Sequence, residues 1–394
     1  MTDKHITVDS IRWHSVLPWL HLLRAAQLAL RVRVVLLALC AVVVFGSVGM
    51  AIRMLPFHSS YGQNSTIVGV LEEPIESPFG LADRISDWPQ NHRQGWLVWP
   101  WNTVMTPGAK LFWKGTRPWS GVATAWTDLL WALLMWAVFG GAITRIHAVR
   151  FARNESVSPL TAARFSSRNW QSYVYGPLLP MLGVGGLTLF GVLVGQVSGW
   201  FGDARGSALL YLGWLPLLAS FMMTALLLLT VLAWPLMVAA ISVEGSDGFD
   251  GLSRAFGYVM NRPWYFLFLL CLALGIGVLT SHFAWWFLGF AFHLAEWSTG
   301  GDQGVRGLIR PFDIWQIGLK LLHLAVLVSY FWSATTVIYF LLRQSDDGTP
   351  LDQVYIPGPP PKPEPLPLVG VAASQQPVIE RPATEANQAA PPSA

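Results

Sequence analysis

The chain has 394 residues, of which 53% are hydrophobic and only 12% charged, with a formal net charge of +3. Soluble proteins carry about 25% charged residues, so most of this surface must face something other than water. That excludes a soluble enzyme, a nucleic-acid-binding domain and a disordered protein, and so small a net charge implies no polyanionic partner. Cys40 and Cys271 both sit in apolar runs and make no disulfide framework.

Taken in chain order, residues 1–33 read as a cytoplasmic segment. Within it, Leu17 to Leu30 has apolar residues at helical spacing, with His21, Arg24 and Gln27 on the other side. This predicts an amphipathic helix lying on the membrane surface. Residues 34–52 are the first stretch free of Asp, Glu, Lys and Arg, and about 20 apolar residues suffice to cross a bilayer. The polar lead and Arg53 make this an uncleaved signal anchor. Residues 53–121 form a long extracytoplasmic loop, and its second half, Trp96 to Trp119, reads as a re-entrant or interfacial segment. Asn64-Ser65-Thr66 in that loop is a sequon without meaning in a bacterium.

Five further apolar stretches follow, and residues 122–343 form the membrane bundle. They run from Pro118 to Thr144, Asn169 to Gly202, Gly206 to Val243, Pro263 to Ala295 and Leu321 to Leu342. None alternates with period two, so they read as helices and not barrel strands. Pro216 and Pro235 should kink the fourth stretch or mark where an interfacial segment joins it. The fifth should stop near Leu288 and continue as an aromatic interfacial segment. Arginines cluster before the first span and between the second and third, so both termini are expected in the cytoplasm, of a bacterial inner membrane. Residues 344–394 become rich in Pro, Ala and Gln, which predicts a disordered tail. The fold class is therefore an all-α polytopic membrane protein of six transmembrane helices, with interfacial helices.

An internal repeat is superimposed on this order. Glu155, Ser158 and Leu160 align with Glu244, Asp247 and Phe249 at an offset of 89 residues. The same offset lays spans two and three on spans four and five, in parallel. Ser158 and Asp247 are good N-caps, and Pro159 suits a first helical position, so each connector predicts a short amphipathic helix. In the second connector Asp250 and Arg254 are four apart and can pair. Asp247, Asp250 and Arg254 are thus the candidate docking or structural connector.

The second connector runs Glu244-Gly245-Ser246-Asp247-Gly248-Phe249-Asp250-Gly251-Leu252-Ser253-Arg254 and on to Trp264. The end of span six runs Arg343-Gln344-Ser345-Asp346-Asp347-Gly348 and on to Tyr355. Both segments resemble signatures of poorly characterised six-span membrane proteins of planctomycetes and other bacteria, distantly like the membrane domain attached to some glycerophosphodiester phosphodiesterases. The resemblance covers spans two to six and implies a membrane bundle. It implies no activity, since the phosphodiesterase catalytic domain has no counterpart here.

No HExxH, Walker A, GxSxG or CxxC pattern occurs, so no catalytic residue, cofactor or metal is assigned. Ionisable residues near spans are functional suspects. Asp128, His282, His293, Glu296, Lys320 and His323 all fall toward the outer face and make a candidate polar cluster. A zinc site of His282, His293, Glu296 and His323 is conceivable, but snorkelling side chains explain these residues more simply. Asp128 and Lys320 should approach each other across neighbouring helices. Two functions remain: a non-enzymatic scaffold or membrane-organising component, and a permease for a lipid or other hydrophobic substrate. The partners implied are membrane lipids and a protein at the connectors or the Pro-rich tail.

Overall fold

The computed structural model describes residues 17–56, 94–112, 119–200, 202, 206, 211–299 and 311–356. Residues 57–93 of the long loop and residues 357–394 of the Pro-rich tail lie outside the described residues. Gln344–Asp347, expected in the disordered tail, instead complete the last helix, and the chain stays ordered to Tyr355, which bonds back to Val243. Among the described residues the chain is helical, without strands, and six helices are long and apolar enough to cross a membrane. The protein is an all-α polytopic membrane protein.

A short 3-10 turn, Pro18–Leu22, leads into α1 (Leu23–Ala29) and then α2 (Val32–Arg53). The loop contributes α3 (Gln94–Leu97) and α4 (Trp99–Phe112). Span two is α5 (Trp119–Met135), a π-turn (Trp136–Gly140) and α6 (Gly141–Arg153). The first connector helix is α7 (Pro159–Arg168), followed by α8 (Trp170–Gly199) and α9 (Trp214–Glu244). The second connector helix, α10 (Gly248–Asn261), precedes α11 (Pro263–Ser298) and α12 (Pro311–Asp347).

The last span is the centre of the bundle. In α12, 94% of the most apolar stretch is buried, against 11% in α8, although the two have comparable hydropathy. In lipid, apolar side chains gain nothing by leaving the bilayer, so hydroxyls and close packing decide what is inside. α12 supplies them. Ser329 and Ser333 donate to the carbonyls of Ala29 (2.8 Å) and Ala25 (2.9 Å), and Tyr330 donates to that of Ala273 (2.6 Å). The helix packs on α1, α2, α3, α6, α9 and α11. α8, rich in Leu and Gly, leans chiefly on α9.

The N-terminal amphipathic helix has the expected sides but a different seat. Leu22, Ala25, Leu28 and Ala29 are buried, while Arg24 and Gln27 are exposed. Its buried face docks on α12 through the two serine bonds, so it is part of the bundle and not a separate surface helix.

The Trp-rich segment is likewise drawn into the interior. Trp99 is fully buried, 5.7 Å from Trp136, which in turn lies 5.6 Å from Trp332. Trp136 Nε1 donates to Thr103 Oγ1 at 2.8 Å. Gly140 lies so close to Trp332 that a Cβ there would stand 2.7 Å from the indole, which ties span two to the central helix. Pro235 sits inside α9 and cannot donate to the carbonyl of Val231, one turn back. Trp101 Nε1 supplies the missing donor at 3.0 Å. The Trp-rich segment thus satisfies the carbonyl that the proline leaves open, as buried backbone requires.

α11 differs from expectation. It continues unbroken past Leu288 to Ser298, 36 residues or about 54 Å. Gly289 costs a helix about 1 kcal/mol, too little to stop one. The helix therefore exceeds the hydrocarbon core, about 30 Å thick. Span two also runs on past Thr144 to Arg153, and buries Arg145 and His147 with it.

Candidate functional site

The site grows from the second connector. α9 ends at Gly245, whose φ of +67° is the left-handed turn that closes a helix. The ring of Tyr355 packs against it, and a Cβ there would stand 2.5 Å from the ring. Two residues on, Asp247 caps α10, its carboxylate accepting from the Asp250 N–H at 2.8 Å. Asp250 and Arg254 then pair one turn apart, with both carboxylate oxygens 3.0 to 3.1 Å from Arg254 Nε.

Arg254 does not stop at Asp250. Its Nη1 lies 2.9 Å from Glu244 Oε2. Glu244, half-buried, also accepts from the Tyr339 hydroxyl and lies 3.6 Å from Arg343 Nε. One carboxylate therefore joins α9, α10 and α12. Farther along α10, Tyr258 donates to Asp347, and Asn261 donates to Asp346 at 3.0 Å. Burial, and then the bond to Asp347, push the Tyr258 hydroxyl above its ordinary value, so it stays a donor. Partial burial would lower the Arg254 guanidinium, but Glu244 and Asp250 outweigh it and hold it above its ordinary value.

The segment after α12 closes the other side. The Tyr355 N–H donates to the carbonyl of Val243 at 2.8 Å, and Arg343 donates to that of Gln353 at 3.0 Å. Arg145 donates to the carbonyl of Ser242 at 2.7 Å and to that of Tyr355. The face of its guanidinium lies 4.5 Å from the ring of Phe165 on α7. We call this set of contacts the clasp. It brings together the second connector and the end of span six.

The expected connector residues Asp247, Asp250 and Arg254 all take part. Sequence reasoning missed Glu244 as the hub, and with it Tyr258, Tyr339 and Arg343. Arg145, one of the arginines between spans two and three, is a buried cross-link. The available signal was Glu244 standing at the join of an apolar helix and a capped one.

The outer-face candidates lie apart from the clasp. Asp128 is half-buried on α5, and Lys320 is buried in the early turns of α12. Each is engaged in a polar or electrostatic contact. His323 is fully buried, with Nε2 3.3 Å from Ser281 Oγ and 3.2 Å from the Ser281 carbonyl. Its ring lies between Trp96 (5.5 Å) and Trp285 (5.1 Å). His282 is exposed, its Nδ1 2.8 Å from the Val278 carbonyl of its own helix. His293 and Glu296 are half-buried near the end of α11. Among the described residues, no three His, Cys, Asp or Glu side chains converge as metal ligands would, so these residues do not form the zinc site considered above. His323 is a polar anchor beside the Trp-rich segment.

What the clasp can do chemically is bounded by its pairing. Its described carboxylates are all engaged: Asp247 as a cap, Asp250 and Glu244 with Arg254, Asp346 with Asn261, and Asp347 with Tyr258. Such a set cross-links helices. No family model, no curated protein and no solved structure matches the chain.

Proposed function

We propose that the protein is a non-enzymatic membrane-organising component, a scaffold whose connector end is its docking face. The clasp carries this reading. A proton relay or cation pathway needs carboxylates that change partners, whereas these are held by their own chain on three helices at once. The result is a fixed platform that leaves Phe249, Met260 and part of the Asp250–Arg254 pair exposed for a partner. We further propose that this end faces the cytoplasm, in keeping with the arginines that crowd it.

The test is purification of the full chain in mild detergent, with identification of what accompanies it. A specific protein should co-purify, and D250N/R254Q should lose it while remaining inserted. Retention by the double variant would overturn the docking role. A permease would instead move a fluorescent lipid across reconstituted vesicles faster than protein-free controls, and that result would replace this reading.

A further inference from the structure

The break between α1 and α2 opens a cavity of about 190 Å³ beside the end of α6. It is lined by Arg24, Gln27, Arg31, Arg150, Phe151 and Asn154 among others. Arg24 and Gln27, one turn apart on α1, face it from the N-terminal segment. Arg31 leaves the helical path (φ −71°, ψ 124°) before α2 begins, which turns its side chain into the same space. From the other wall, Arg150 donates to the carbonyl of Asn154, and its Nε is buried without a partner among the described residues. The Arg24 guanidinium lies 5.9 Å from the centre of the Phe151 ring.

Three guanidinium groups thus border one small space, and among the described residues no carboxylate lines it. Burial first, and the neighbouring Arg150 charge second, hold Arg31 below its ordinary value. Like charges so placed repel unless an anion joins them. Arginine forks match the oxygens of a phosphate, two at a time. The volume equals several water molecules at about 30 Å³ each, enough for a phosphate group. Leu23, Leu30 and Val32 are exposed on the same stretch of chain and offer apolar surface alongside. A free anion would make no use of that surface, whereas acyl chains would. Basic pockets between transmembrane helices suit phospholipid head groups for this reason.

We propose that this cavity binds the phosphate of an anionic phospholipid, with the acyl chains lying along Leu23, Leu30 and Val32. This goes beyond the scaffold reading and does not depend on it.

The experiment equilibrates the purified full chain with mixed micelles of phosphatidylglycerol and phosphatidylcholine in equal amounts, and counts bound lipid by native mass spectrometry. Phosphatidylglycerol should be retained over phosphatidylcholine by roughly tenfold. R24Q/R31Q should abolish that preference, since each basic residue near anionic lipid contributes about fivefold. Where the double variant aggregates, R24Q and R31Q are measured singly, each with about a fivefold loss. The charge-matched pair R153Q/R164Q, at exposed arginines outside the cavity, should keep it. Equal retention of both lipids, or the same loss in both double variants, would overturn the site. Displacement of phosphatidylglycerol by millimolar inorganic phosphate would overturn the lipid as its ligand.

Discussion

Connector helices α7 and α10 begin in the same way. Ser158 Oγ accepts from the Thr161 N–H at 3.1 Å, and Asp247 Oδ1 from the Asp250 N–H at 2.8 Å. Each follows a transmembrane helix closed by a left-handed residue, Asn154 (φ 59°) and Gly245 (φ 67°). Beyond the caps they diverge. Glu155 is exposed, whereas its counterpart Glu244 is half-buried and holds Arg254, Tyr339 and Arg343. α7 has 10 residues and α10 has 14, long enough to carry Tyr258 and Asn261 to the end of α12. Two connectors written in one local code thus have different weight, because the central helix ends beside the second. Whether they descend from one repeated unit is our proposal, and the shared cap geometry is what supports it.

The sharpest way to break the comparison is at the two glutamates. Glu244→Ala removes the acceptor of two arginines and a tyrosine in a partly buried place, and should cost about 3 kcal/mol in reversible unfolding of the purified protein. A cost under about 1 kcal/mol would mean that the clasp is ornamental.

Next come the two left-handed residues. Gly245→Ala forces a Cβ into that backbone conformation, about 1–2 kcal/mol, and drives it against the ring of Tyr355, so a total near 2 kcal/mol is expected. Asn154→Ala meets only the conformational part, about 1 kcal/mol. Hydrogen exchange should show the Tyr355 N–H losing protection in the first variant and not in the second, since that N–H bonds to Val243. Equal protection in both would remove Tyr355 from the clasp.

The caps should behave alike. Asp247→Ala and Ser158→Ala each remove one side-chain acceptor at a helix start, and each should cost about 1 kcal/mol. Thermal melts of the two variants side by side check this, and a difference of more than about 1 kcal/mol would show that the caps are not equivalent. The smallest effect is at the first connector's glutamate. Glu155→Gln, at an exposed side chain, should stay within about 0.5 kcal/mol of the parent.

Much of the fold was legible before any contact was known. The apolar runs marked all six spans, because a bilayer of fixed thickness demands about 20 apolar residues whatever surrounds them. The caps at Ser158 and Asp247 and the pairing of Asp250 with Arg254 were legible too, since each joins residues three or four apart. The Trp-rich segment was readable as something held at the membrane, but not as a plug whose Trp101 repairs the carbonyl that Pro235 leaves open. Those two residues are 134 positions apart in the chain.

Sequence alone therefore determined what depends on local spacing and on the solvent: that the spans are helices, where the connector caps fall, and that the bundle belongs in lipid, though not how far α11 or span two runs beyond its apolar core. Only the tertiary structure decided which helix is central. Hydropathy ranks α8 and α12 alike, because lipid rewards apolar surface equally on an outer helix and an inner one. It also decided that Glu244 is the hub and Arg145 a cross-link. Tyr339 lies 95 residues from Glu244, and Tyr355 lies 210 from Arg145. A charge near a span has one meaning when it snorkels to water and another when a distant segment folds over it. That distinction depends on where the chain returns in space, which no local pattern encodes.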